Sequence, residues 1–164
     1  MTTKEKLLAL LEDSKGTFFS GEEIARTLQV SRAAVWKAVN ALREDGYTVD
    51  AATNKGYRLS PDSDILSPQG IRRFLKPEYR DLDLTVLPTA PSTNALVREK
   101  ANQGRPEGCI IVACEQTDGR GRYGRQFFSP VDSGVYLSLL LRPTAYSPQQ
   151  ATCLTAAAAA AMCQ

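Results

Sequence analysis

The 164-residue chain has no histidine and a single tryptophan, Trp36. Without histidine, its four cysteines are poor material for a zinc site. Cys109 and Cys114 lie in GCIIVACEQ, an apolar run that reads as a strand. Five residues apart, they point to opposite faces and cannot chelate one ion. Cys153 and Cys163 flank an alanine tract. All four are expected to be packing thiols, no metal site is expected, and the setting is a reducing one. No apolar run approaches the ~20 residues of a membrane span, so no membrane association is expected. The opening stretch MTTKEKLLALLEDSKG is interrupted by Glu12 and Asp13 and has no small-residue cleavage site, so it does not read as a signal peptide. A cytoplasmic location is expected. A strong charge excess is missing too, since 20 basic and 18 acidic residues leave a net +2. That is too little to indicate a nucleic-acid partner, and only the placement of charge could do so. What remains is an ordinary soluble globular composition, sized for one domain or two small ones.

Three helical patterns come first. Thr2 to Asp13 carries Leu7, Leu8, Leu10 and Leu11, with Thr2 and Glu5 spaced as a capping box. In SGEEIARTLQV, Ser20 and Glu23 repeat that spacing, and Ile24 and Leu28 share a face. SRAAVWKAVNALREDG starts at Ser31, a good N-cap, and stops before Gly46. Only Gln29-Val30-Ser31 separates the second helix from the third, which is the spacing of a helix-turn-helix. Ala34, Val35, Ala38, Val39 and Leu42 form the inward stripe of the third helix. Arg32, Ala33, Trp36, Lys37 and Asn40 are left outside, and these types contact phosphates and base edges in a major groove. Arg26, Arg32, Lys37 and Arg43 occur between positions 26 and 43 with no acidic residue, a local excess that the bulk charge hides. GYTVDAATNKGYRLS then reads as a β-hairpin with Asn54-Lys55-Gly56 at its tip, completing a winged helix. Ser31, Arg32, Ala33, Trp36, Lys37, Asn40 and Lys55 are the candidate DNA-binding set, with Arg58 available for a backbone contact. The plainer alternative is a protein-binding trihelical unit with a solvated basic face.

Ser60-Pro61-Asp62-Ser63-Asp64 breaks the pattern and is a linker candidate. SPQGIRRFL then opens a short helix with proline at its first position. Strands and helices follow: LDLTVLP, STNALVREKANQG, GCIIVACEQ, GVYLSLLLRP and SPQQATCLTAAAAAAMCQ. The alanine tract in the last is expected to be a smooth face for close packing. The expected division is residues 1–60, a linker at 61–67, and a mixed α/β region at 68–164. Two loops carry the chemistry. Pro91-Ser92-Thr93-Asn94 puts small polar side chains at a helix N-terminus, where they either cap the helix or hold a polar head group. The seven residues Gly119-Arg120-Gly121-Arg122-Tyr123-Gly124-Arg125 concentrate backbone freedom and guanidinium forks. That segment is either a solvated hairpin tip or a loop that closes over an anion, and the second reading is favoured.

Taken together, SRAAVWKAVNALREDGY, NKGYRLS, Ser92-Thr93-Asn94, Gln116 and the run from Gly119 to Pro130 resemble the bifunctional biotin protein ligases that also repress the biotin operon. The resemblance implies an α+β protein: an N-terminal winged helix-turn-helix followed by a mixed α/β, biotin/lipoate-ligase-like (class II synthetase-like) catalytic domain. It implies that Ser92, Thr93, Asn94 and Gln116 hold the biotin head group, and that Arg120, Gly121 and Arg122 fold over the carboxylate and the α-phosphate. It also implies biotin and ATP with Mg2+ as reactants and biotinyl-5′-adenylate as intermediate. The implied partners are the carboxyl-carrier domain of a carboxylase, operator DNA and a ligand-linked second copy. Pro91 stands where the family usually has an acid, and Phe127 where tryptophan is usual. The family's catalytic lysine lies in a Lys-Trp-Pro-Asn motif that these residues do not contain. The expectation is therefore a catalytic domain cut short and inactive by itself, with residues 1 to 60 folding alone. Two alternatives stand beside this: a winged-helix regulator with a ligand-sensing domain and no ligase activity, and a lipoate-type ligase. The latter usually lacks a winged helix and uses a histidine motif, which this chain cannot supply.

Overall fold

A computed structural model describes residues 1–131, 133–147, 150 and 153–163. The chain divides into two compact units, residues 1–81 and 82–164. In the first, α1 (Thr3–Asp13), α2 (Gly21–Leu28) and α3 (Arg32–Glu44) precede an antiparallel hairpin of β1 (Val49–Ala52) and β2 (Gly56–Leu59). Each helix starts where the sequence places a cap. Thr2 and Glu5 form the full capping box on α1, while Ser20 accepts from Glu23 N and Ser31 from Ala34 N. The turn after α2 places Gln29 in the left-handed region, at φ 54°. Leu7, Leu11, Ile24, Val39, Leu42 and Leu59 are fully buried in one core. Burial of side chains of this kind contributes roughly 1.5–3 kcal/mol each.

The wing has a third edge. Phe19 pairs with Tyr57 through two backbone bonds of 2.9 and 2.8 Å. Gly56, at φ +95°, sits against this strand, and a Cβ there would lie 2.6 Å from Ser20 Cα and still closer to Phe19 O. Glycine is therefore required at the hairpin tip both for conformation and for space.

Beyond Ser60 the chain stays on the first unit. Lys15 donates to Ser63 O, and Ser67 caps α4 (Pro68–Arg72), which lies against α1. Glu12 holds this segment. Its side chain is buried, Ser67 Oγ donates to it over 3.3 Å, and Arg73 Nη1 donates to its backbone oxygen over 2.6 Å. Burial pushes the nearby Tyr47 hydroxyl up, a bond with Ser67 counters this, and the Glu12 charge adds to the rise. The sequence reading assigns residue 68 onward to the second domain. Here α4 and the 3-10 turn Pro77–Tyr79 belong to the first compact unit. An apolar stripe does not reveal that a glutamate on α1 is turned inward, and that inward carboxylate is what tethers the segment.

The second unit is built on β3 (Leu84–Ala90), α5 (Thr93–Asn102), β4 (Ile110–Gln116) and β5 (Tyr136–Leu139). The sheet order is β3-β4-β5, with β3 and β4 parallel and β4 and β5 antiparallel. The β3-α5-β4 crossover covers one face, where Val97 and Ile111 are buried. Leu137, Leu139 and Leu141 are exposed. The final helix, α6 (Cys153–Met162), follows, and Pro148, where it was expected to begin, lies outside the described residues. Its alanines Ala156 to Ala161 are exposed, contrary to the close packing expected of them.

Candidate functional site

Two surfaces gather the candidate residues, one in each unit. On the first, Arg32, Ala33, Trp36 and Lys37 are exposed along α3 and Asn40 is half-buried one turn on. Ser31 is exposed and its hydroxyl is engaged as the cap of α3. Trp36, 58% exposed, lines a cleft of about 650 Å3 between α3 and the wing together with Arg32, Thr53 and Asn54. Arg43, counted in the local basic excess, is instead structural. Its Nε and Nη2 both donate to Val49 O, at 3.0 and 2.7 Å, and fasten the wing to α3. On the wing, the Arg58 guanidinium lies 4.7 Å from the centre of the Phe18 ring and bonds Asp50 over 2.9 Å. Exposed Lys55 stands 6.0 Å from the same ring. Lys55 thus keeps its charge toward solvent, whereas Arg58 is tied on two sides. Phe18 was not among the sequence candidates, since an aromatic before a helix cap reads as core.

In the second unit, Ser92 is the N-cap of α5 and accepts from Ala95 N over 3.4 Å. Thr93 begins the helix buried, with Asn94 exposed beside it. Gln116, at the end of β4, reaches across so that its Oε1 accepts from Thr93 N at 2.8 Å and from Thr93 Oγ1 at 3.2 Å. Two serines extend this line. Ser138 Oγ meets Thr93 Oγ1 at 2.9 Å, and Gln116 Nε2 donates to Ser129 Oγ at 3.1 Å. Ser129 is buried and in turn donates to Phe127 O over 3.2 Å. The amide of Gln116 is therefore fixed in orientation at both ends. Ser129 and Ser138 carry no role in the sequence reading. The signal for Ser138 was a lone serine within the apolar strand YLSLLL.

The glycine-arginine segment forms a hairpin. Gln116 N bonds Ser129 O at 3.0 Å, Phe127 N bonds Gly119 O at 2.8 Å, and Gly121 N bonds Arg125 O at 2.7 Å. Its base is joined to the Ser-Thr-Asn turn, because Thr117 N donates to Ala90 O and Asp118 N to Pro91 O. Its tip is solvated: Gly121, Tyr123, Gly124 and Arg125 are all exposed. Arg122 contributes backbone to the 3-10 turn Arg122–Gly124, and its side chain lies outside the described residues. Arg120 directs Nε and Nη2 to one oxygen of Asp118, at 3.2 and 3.0 Å. Ser92, Thr93 and Gln116 are thus brought together, with Asn94 next in line. Among the described residues, no hydrogen bond links Arg120 or Gly121 to that group.

The cysteines lie apart from this chemistry. Cys109 is buried and Cys114 half-buried, while Cys153 and Cys163 are exposed. Burial pushes the Cys109 thiol up, and the Asp83 carboxylate adds to it. No helix among the described residues is long and apolar enough to cross a membrane.

Comparison with known families finds a match over each unit. Residues 3–58 match the HTH domain family, and residues 86–164 match the biotin/lipoate A/B protein ligase family. The chain is thus similar to a helix-turn-helix domain over residues 3–58 and to the ligase family over residues 86–164. Relatives named bifunctional ligase/repressor BirA are similar over most of the chain. The Bacillus subtilis (strain 168) protein is 41% identical over 142 residues, which is 87% of this chain and 44% of that protein. The Escherichia coli (strain K12) protein is 36% identical over 141 residues, 86% of this chain and 42% of that protein. The Salmonella typhimurium protein is 37% identical over 136 residues, 83% and 40% of the two. The chain therefore spans less than half the length of these curated relatives. The ligase-family match takes in β3, α5, β4 and the hairpin, and so contains the whole Thr93–Gln116–Ser129 line.

Proposed function

We propose that the ligase-family unit is the biotin-binding part of a biotin protein ligase, and that the helix-turn-helix unit makes the same protein a biotin-dependent repressor. The observation that carries the first half is the oriented amide of Gln116, bonded to Thr93 at the start of α5 and adjoining an arginine-bearing hairpin. Ser92, Thr93, Asn94 and Gln116 hold the polar head of biotin. Arg120, Gly121 and Arg122 face its carboxylate and the α-phosphate of ATP, whose other phosphates carry Mg2+ as part of the substrate. A carboxylate oxygen attacks the α-phosphorus and pyrophosphate leaves, giving biotinyl-5′-adenylate. The ε-amine of a lysine on a carboxyl-carrier domain then attacks the acyl carbon and AMP leaves. Both steps gather negative charge beside the arginines, which neutralise it without reorganising solvent. The mixed anhydride must be shielded from water, and a hairpin that folds down over it would do so. In repression, Ser31, Arg32, Ala33, Trp36, Lys37, Asn40 and Lys55 contact operator DNA, and adenylate binding favours a dimer that matches a two-fold operator. The working division is residues 1–60 for DNA, a segment to residue 81 that packs on that unit, and 82–164 for ligand, in a cytoplasmic protein.

Calorimetry with biotin and with biotinyl-adenylate tests the reading. Saturable binding of either ligand, lost in Gln116→Ala, is expected. No binding of either would refute it and leave a winged-helix regulator of another ligand.

A further inference from the structure

Asp118 joins the two ligand loops. Its N–H is fixed to Pro91 O at 2.8 Å, at the mouth of the Ser-Thr-Asn turn, and its carboxylate receives both donors from Arg120. The residue between them cannot change. Gly119 is buried, and a Cβ there would lie 2.8 Å from Ser129 Oγ, 3.3 Å from Gln116 Nε2, and closest of all to Phe127 O. Arg120 also pairs with Gln126 across the hairpin, so its backbone is held as well. The carboxylate and the guanidinium fork are therefore neighbours by construction of the backbone, two residues apart. An anion arriving at Arg120 meets a fork that is already engaged with a negative group.

We propose that Asp118 sets the charge selectivity of the ligand site by occupying Arg120 until an anionic ligand displaces it. The inference rests on the biotin reading above and adds a residue to it. Asp118 is a positioning residue here and touches no reacting atom. Its carboxylate takes the same Arg120 donors that a ligand carboxylate would take, so the net gain from a ligand anion is the difference between two ion pairs. A neutral ligand of the same shape does not need Arg120 released and is indifferent to Asp118. The pair is exposed, so the effect is small and fades with salt.

The test compares biotin with biotinamide, in which a neutral amide replaces the carboxylate, on the full chain and its Asp118→Asn and Asp118→Ala variants. At low salt the variants should bind biotin on the order of two- to fivefold more tightly, with biotinamide affinity unchanged, and the gain should shrink as salt is added. Equal shifts for both ligands, or none for biotin, overturn the proposal. A second readout needs no ligand. In the NMR spectrum, the Arg120 Nε–H proton should exchange with water more slowly in the wild type than in Asp118→Asn. Equal exchange in the two proteins also overturns the proposal. Failure of both ligands to bind any of the proteins counts against the biotin reading, and the Nε–H signal then decides for Asp118 alone.

Discussion

Three glycines of the hairpin should respond differently to alanine, and the differences follow from geometry. Gly119 is the demanding position. An added Cβ would lie 2.8 Å from Ser129 Oγ and well inside contact distance of Phe127 O. Phe127 N is bonded to Gly119 O at 2.8 Å, so the crowded carbonyl belongs to the residue that closes the hairpin base. Relief requires the strands to part by most of an ångström. That forfeits about 1 kcal/mol for the bond and adds about 1–3 kcal/mol of overpacking, for a total of ~2–4 kcal/mol. Gly124 has open space around it but sits at φ +71°, so alanine there meets only the left-handed penalty of roughly 1–2 kcal/mol. Gly121 has no neighbour nearer than Arg125 O at 3.5 Å and no left-handed φ. Alanine at Gly121 should be neutral, or stabilising by about 0.4–1 kcal/mol through the unfolded chain. Native-state hydrogen exchange at the Phe127 and Gln116 amides reads the hairpin base directly. Protection should collapse in Gly119→Ala, drop modestly in Gly124→Ala and hold in Gly121→Ala. Intact protection in Gly119→Ala, or equal losses at all three positions, would refute the close-approach argument.

Three other outcomes are expected. Lys55→Ala should weaken DNA binding evenly across sequences and lower the slope of log K against log salt by about one, whereas Arg58→Ala, already tied to Asp50 and Phe18, should change that slope less; titration of affinity against salt separates them. Ser129→Ala should leave Gln116 Nε2 without its acceptor, cost about 1 kcal/mol and weaken biotin binding, as calorimetry would show. The Glu5 carboxyl is held below the usual range, chiefly by the Thr2 N–H that donates to it over 2.7 Å. A lowered folded value means its capping contribution is present above the ordinary glutamate value of about 4.3 and is lost as pH falls through the lowered one. Amide exchange at the start of α1 should rise in that acid window, and Glu5→Gln should remove the dependence.

Local rules made most elements legible. Ser20, Ser31, Ser67 and Ser92 all begin helices because a hydroxyl before an apolar-periodic run satisfies free N–H groups whatever the fold. The apolar stripe of α3 was readable for the same reason, with Val35, Ala38, Val39 and Leu42 buried as their spacing requires. Tertiary partners were not readable. Arg43 sits on α3 with the spacing of a phosphate contact, yet it donates to Val49 O, and nothing local marks that. Glu12 ends a helix as a surface acid would, but is buried under Ser67 and Gly70. In the candidate site, Ser92, Thr93, Asn94 and Gln116 were named from two separate segments. The bonds that join Thr93 to Gln116, and both to Ser129 and Ser138, depend on strand order and register, which periodicity does not carry.

Of the two readings of the glycine-arginine segment, the structure shows the solvated tip, and closure over an anion belongs to the proposed function. The hairpin's base is fixed, because Gly119 is packed against Phe127 and Ser129 and the Gln116 amide is bonded at both ends. Its tip is held by little. Tyr123 adopts φ 60°, which costs an L-residue roughly 1–2 kcal/mol, and at 96% exposure its ring has almost no packing to offset that. A strained residue without packing is inexpensive to move, so the tip can change shape while the base keeps Gln116 and Thr93 aligned. The free energy for such a change has to come from a ligand that binds the closed form better. The side chain that an anion would recruit at the base, Arg120, is already engaged by Asp118, and that exchange of partners is where ligand charge can be converted into closure.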